Sequence, residues 1–161
     1  MEAYEVSQKI LSIGATYQVR AAGQSGVLFT VKGKALTATP KLTMVQGESG
    51  DDVALIKGNF FKTAFSITGA DGTAMGILNF PLIMFKKTFT LSSSGQQFKA
   101  EGGLTGRAFT CSDSAGTPVF EVKKELALKD KFAVNCTDAL PREVAFLAAV
   151  AIDQKFFEDK D

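Results

Sequence analysis

From Val144 to Ile152 the chain is apolar on every face a helix would present, and this run closes a sequence that otherwise reads as strands and turns. A helix hydrophobic all round must be buried all round, in lipid or in protein. Nine residues of helix reach about 14 Å, whereas a bilayer span takes about 20 apolar residues. The home that remains is the middle of a closed β-structure. The helix has a readable start: Asp138 is placed to cap its N–H groups, Pro141 suits a first turn, and Glu143 suits the positive end of the dipole. The expectation is a central helix over 138–157 that emerges near Asp153, with Phe156 and Phe157 packing at the rim.

Strand-length segments separated by turn signals fill the rest. The expected strands are 4–11, 16–21, 27–37, 41–45, 53–60, 63–68, 74–79, 87–92, 96–101, 108–112, 118–126 and 131–137. Asp71-Gly72, Ser25-Gly26, Ser94-Gly95 and Ala115-Gly116 read as tight turns, and Pro81 should stop a strand or sit on an edge. Alternation at period 2 puts Thr63, Phe65 and Ile67 on one face. Likewise Lys87, Phe89 and Leu91 oppose Lys86, Thr88 and Thr90, while Phe132, Val134 and Cys136 oppose Lys131, Ala133 and Asn135. Such strands have one dry face and one wet face, as a barrel wall does. A repeat with a Lys-Gly or Lys-Lys step recurs at Leu28-Phe29-Thr30-Val31-Lys32-Gly33-Lys34, Val53-Ala54-Leu55-Ile56-Lys57-Gly58-Asn59 and Val119-Phe120-Glu121-Val122-Lys123-Lys124-Glu125, and more loosely over 83–89. Lys-Gly within a strand is expected to mark a bulge or bend.

A chain of 161 residues, 45% hydrophobic and 22% charged, fits one globular domain. Its formal net charge of +1 supplies no global field to recruit nucleic acid. There is no histidine, which removes the commonest general base and the partner that two cysteines would need for zinc. No enzyme, metal or cofactor is therefore expected, and Cys111 and Cys136 read as reduced, buried thiols. Met1-Glu2-Ala3-Tyr4-Glu5 carries acid where a secretory leader carries base, so the expected location is cytoplasmic, peripheral at a membrane if the protein docks there.

The residues from Gln8 to Val19 resemble the opening hairpin of the LURP-one-related proteins and their bacterial relatives. Lys32-Gly33-Lys34-Ala35-Leu36, Lys41-Leu42-Thr43-Met44-Val45 and Val53-Ala54-Leu55-Ile56-Lys57 resemble the hairpins that follow, and the stretch from Ala145 to Asp153 resembles the terminal helix. The resemblance spans nearly the whole chain. It implies a single tubby-like domain over 1–161, mainly β, in which a barrel of about twelve antiparallel strands encloses a C-terminal hydrophobic helix. Tubby domains bind phosphoinositides and the related phospholipid scramblases act at bilayers. The scramblase calcium segment and cysteine-rich stretch have no counterpart in this sequence.

For function, the resemblance and the lysines point the same way. Lys86, Lys87, Lys123 and Lys124, with Lys32, Lys34, Lys57 and Lys62, recur near strand ends and would attract anionic lipid headgroups if one barrel end gathers them. Against this, Glu121 and Glu125 flank Lys123, and solvated edge lysines serve equally to prevent aggregation. The expected partners are anionic phospholipid headgroups or a protein, with no nucleic acid, no transmembrane segment and a monomeric state. The acidic loop from Glu48 to Asp52 reads as a hairpin turn rather than a calcium loop, and Gly102-Gly103-Leu104-Thr105-Gly106-Arg107 lacks the lysine and hydroxyl of a phosphate loop. A lipocalin-like carrier is the alternative and requires a hollow lumen. An enzyme would have to work with carboxylates such as Asp113 or Glu101.

Overall fold

In a computed structural model, residues 1–11, 14–34, 39–82, 86–103, 107–125 and 131–157 are described. Twelve strands close into one up-and-down antiparallel barrel: β1 (Glu2–Leu11), β2 (Gly14–Ala21), β3 (Val27–Lys34), β4 (Lys41–Gln46), β5 (Asp52–Gly58), β6 (Ala64–Gly69), β7 (Ala74–Asn79), β8 (Thr88–Ser93), β9 (Gln96–Gly102), β10 (Ala108–Ser112), β11 (Pro118–Lys124) and β12 (Lys131–Cys136). Sequence neighbours pair throughout, and β1 closes on β12 with Tyr4 opposite Val134 and Val6 opposite Phe132. Closure removes both sheet edges, which protects an all-β chain from pairing with its copies. The expected ends of the third and eleventh strands, the start of the loosest repeat and the last four residues lie outside the described residues.

The twelfth strand leads into α1 (Arg142–Ile152), which runs up the lumen. Every residue from Val144 to Ile152 is buried, against inward faces that alternate as the sequence requires. Phe65, Phe89, Phe109, Phe120 and Phe132 point in from five strands, and Phe146 of the helix meets Tyr4 edge-to-face at 4.8 Å and Phe29 at 6.0 Å. Small residues at Ala145, Ala148, Ala149 and Ala151 keep the helix thin enough for a twelve-strand bore. A lumen packed this way has no room for a carried ligand, so the hollow-carrier alternative fails. Among the described residues, no helix is long and apolar enough to cross a membrane.

Several local expectations change. The helix begins at Arg142 with Pro141 in the N-cap position, and no side chain caps it. Asp138 instead lies in the turn before it, where Ala139 N–H bonds Thr137 Oγ1 at 3.2 Å. The helix does not emerge at Asp153: it widens into a π-helical turn (Asp153–Phe157) with Asp153 still buried. The hairpin after β2 turns at Ala22-Gly23, with Gly23 at φ +76°, rather than at Ser25-Gly26. The Lys-Gly steps are not bulges. Gly33 pairs in register with Ala15 and Leu42, and Gly58 with Phe65. A Cβ on Gly33 would stand 2.2 Å from the Lys41 carbonyl oxygen, and one on Gly58 2.7 Å from the Phe65 ring. Glycine is there for a close approach. The register shifts fall nearer the other end, at Val19/Arg20, Met44/Val45, Ile67/Thr68 and Cys111/Ser112.

Removing helix volume should therefore destabilise the whole barrel. Leu147→Ala is expected to cost about 2–5 kcal/mol, the range for a large-to-small change at a packed core site, read as a shift in urea midpoint with the slope unchanged. A cost below about 0.5 kcal/mol, the level of an exposed position, would contradict this packing.

Candidate functional site

Because neighbouring strands alternate in direction, the ends of odd-numbered strands and the starts of even-numbered ones share one rim. The helix enters at the opposite rim and its terminal turn reaches this one, so the two can be called the entry and exit rims. Charge separates between them. From Val27 to Ser93 the acids are Glu48, Asp51, Asp52 and Asp71, and the bases are Lys32, Lys34, Lys41, Lys57, Lys62, Lys86 and Lys87. All four acids belong to the entry-rim ends of β4 to β7. All the bases lie toward the exit rim of β3 to β8. Among the described residues of β3 to β8 and their connections, this half of the exit rim is an arc of cations without an interleaved acid.

Register sharpens the arc. Lys41 stands directly opposite Lys57 on the next strand, and Lys34 opposite Lys41, so three consecutive strands place lysine in one row. Lys41 and Lys57 are both exposed on the outer face. Like charges set opposite one another cost stability. At the mouth, Lys62 Nζ donates to the Gln154 carbonyl at 3.2 Å and Lys155 Nζ to the Phe61 carbonyl at 3.3 Å. Partial burial, then the charge of Lys62, holds the Lys155 ammonium below its ordinary pKa.

The four lysines singled out in the sequence divide by parity. Lys86 and Lys123 are exposed, whereas Lys87 and Lys124 continue the inward rows of their strands. Lys87 Nζ sits 5.2 Å over the Phe156 ring, and Phe156 stacks on Phe109 at 5.5 Å and meets Phe80 edge-to-face. Lys124 Nζ lies 5.3 Å over Phe132 and 3.7 Å from Asp153 Oδ1, with its side chain only 13% exposed. Asp153 Oδ2 accepts from the Tyr17 hydroxyl at 2.6 Å, and Gln154 Nε2 donates to that hydroxyl at 2.9 Å. Lys124 thus belongs to a buried polar plug that ends the core. Lys86 and Lys87 flank the cationic arc. Lys123 and Lys124 stand on the far wall, where Glu121, Glu125 and the Lys131–Glu5 pair (3.6 Å) interleave the charge. All four stand at the exit rim, Lys86 and Lys87 beside the cationic arc and Lys123 and Lys124 across the mouth from it.

The remaining candidates offer little chemistry. Cys111 is buried, and burial pushes its thiol up to about 12. Burial, then the Glu2 charge, raises Cys136 too, so neither sulfur is activated as a nucleophile. Glu48 to Asp52 forms an exposed hairpin loop closed by Gly50 N–H to the Gln46 carbonyl at 2.8 Å. A recess of about 410 Å³ at the entry rim is lined by Glu2, Cys136, Asp138 and Arg142 among others. Arg142 is engaged there, donating to the Tyr4 hydroxyl at 3.4 Å beside Phe29. Lys41, Phe60, Phe61 and Lys155 were not singled out from the sequence. Only the β4–β5 register and the path of the terminal turn bring them to the arc.

The polar plug yields a graded expectation. Asp153→Ala should cost about 3–5 kcal/mol, because it removes one member of a buried ion pair and the acceptor of the Tyr17 hydroxyl, whereas Tyr17→Phe should cost about 1–2 kcal/mol for a lost buried hydrogen bond. Urea unfolding of both variants checks this, and equal, negligible costs would mean that water reaches the plug.

A family model described as LURP-one-related matches residues 2–153 of the chain. A crystal structure of a protein from Arabidopsis thaliana superposes with a TM-score of 0.63 at 10% identity, covering 94% of this chain and 91% of that one; at such identity the likeness is one of fold. No curated protein matches the sequence.

Proposed function

The chain belongs to the LURP-one-related family, and from that premise we propose that it is a non-enzymatic docking module whose exit rim settles on an anionic phospholipid surface. The observation that carries this reading is the cross-strand lysine pair Lys41–Lys57, within an arc of β3 to β8 that holds no acid among its described residues. A fold gains nothing from opposing like charges, so the pair makes sense when an external anion neutralises it. Lys62 and Lys86 extend the same surface, and each basic residue near an anionic leaflet contributes about 1 kcal/mol. Lys87 and Lys124 shape the mouth rather than contact headgroups, and Lys123 lies on the compensated wall. The acidic entry rim orients the barrel by facing away from the membrane. A rigid closed wall suits the task, since binding then orders little besides lysine side chains.

The test is sedimentation with phosphatidylcholine vesicles containing phosphatidylserine or a phosphoinositide. Salt-sensitive binding to anionic vesicles is expected, and Lys41→Gln with Lys57→Gln and Lys86→Gln should weaken it on the order of a hundredfold, about 3 kcal/mol. Lys57→Gln alone should also raise stability by about 0.2–1 kcal/mol, since it relieves the like-charge pair. Indifference to lipid charge, or an equal loss with Lys123→Gln alone, would refute the reading.

A further inference from the structure

The turn between β5 and β6 is tied at its base and to the end of the central helix. Asn59 braces the base: its side-chain oxygen accepts from Thr63 N–H at 2.8 Å and Ala64 N–H at 3.2 Å, and its Nδ2 donates to Thr63 Oγ1 at 2.8 Å. Lys62 N–H donates to the Asn59 carbonyl at 3.1 Å while Lys62 holds a left-handed φ of +54°. A non-glycine residue adopts that conformation against a steric cost, so the turn is held, not loose. The bonds from Lys62 and Lys155 already described fasten the same turn to the end of the central helix.

Such a turn can tuck apolar side chains against the wall, and this one does the reverse. Phe60 and Phe61 are 65% and 66% exposed and pack edge-to-face on each other at 5.1 Å. Leu82, 71% exposed, follows two residues after Phe80, whose N–H bonds the Thr63 carbonyl at 2.7 Å on the same stretch of rim. Large exposed apolar side chains grouped at a rim mark a binding surface.

We infer that Phe60 and Phe61 form an apolar wedge that enters the boundary between headgroups and acyl chains of an anionic bilayer, with Leu82 beside them. The inference rests on the docking reading above and adds the hydrocarbon contact to it. Apolar side chains bordered by lysines are the composition of interfacial anchors, which bury their apolar face about 5–10 Å into the headgroup boundary. Lys62 lies in this turn and Lys155 bonds the Phe61 carbonyl, while Lys57 at the end of β5 and Lys86 before β8 stand on the same rim. Their charge opposes a symmetric contact with a second copy, in which each cationic tip would face its equal.

The chain has no tryptophan, so Phe61→Trp makes a single reporter. Its emission should shift to the blue and be quenched by brominated acyl chains on anionic vesicles, and do neither on neutral ones. Phe60→Ser with Phe61→Ser should weaken partitioning about thirtyfold and abolish the part of binding that survives high salt, with the melting temperature unchanged. If the wild-type chain fails to bind anionic vesicles, the docking reading falls and the wedge with it. If it binds while the Phe61→Trp reporter stays in water and the double serine variant binds equally well, the wedge is overturned and the headgroup reading stands. Concentration-dependent self-association without lipid, lost in the double serine variant, overturns the wedge in favour of contact between copies.

Discussion

The apolar helix enclosed by the barrel is the constraint from which the rest of the structure follows. From Val144 to Ile152 there is no polar face to give to water, and the twelve strands supply inward phenylalanines, valines and leucines to receive it. Neither part is self-sufficient. A barrel of this size without a filled lumen would leave those inward residues around a void, and the helix alone is too short and too greasy to persist in water. Its alanines and its single large aromatic, Phe146, set how tightly the wall can close.

Filling the lumen moves any function to the rims. At the entry rim the chain returns from β12 through Pro141, and acids collect on the hairpin loops. At the exit rim the helix terminates in a buried plug of Tyr17, Asp153, Gln154 and Lys124, whose hydrogen bonds let a polar end close an apolar core. The plug also fastens the β5–β6 turn through Gln154 and Lys155. Core, plug and displayed turn are thus mechanically continuous, and the exposed Phe60 and Phe61 are attached to the buried helix.

Much of the architecture was legible in the sequence because its signals are local. Strand-length segments between turn signals located all twelve strands, period-2 alternation gave the inward faces where it could be counted, and the all-round apolar run announced an enclosed helix. Parity along Lys86-Lys87 also foretold that one lysine would face out and its neighbour in. What the sequence hid depends on register. That Lys41 faces Lys57 is decided by a shift at Met44/Val45, which no local pattern reveals. The sequence carries β5 to Phe60, because Phe60 falls in step with the inward Ala54 and Ile56, yet the strand stops at Gly58, where the Phe65 ring leaves no room for a Cβ. The helix start was misplaced because Asp138 has the chemistry of a cap but lies too early in the turn.

The most direct test is hydrogen exchange of the helix amides followed through increasing urea. If strands sheathe the helix on all sides, the amides of Ala148, Ala149 and Val150 cannot meet solvent until the barrel opens. Their exchange should then report the global unfolding free energy and fall with the global urea slope. Exchange at a lower free energy with little urea dependence would mean that the helix opens to water while the barrel stays closed, and the account would be wrong at its centre.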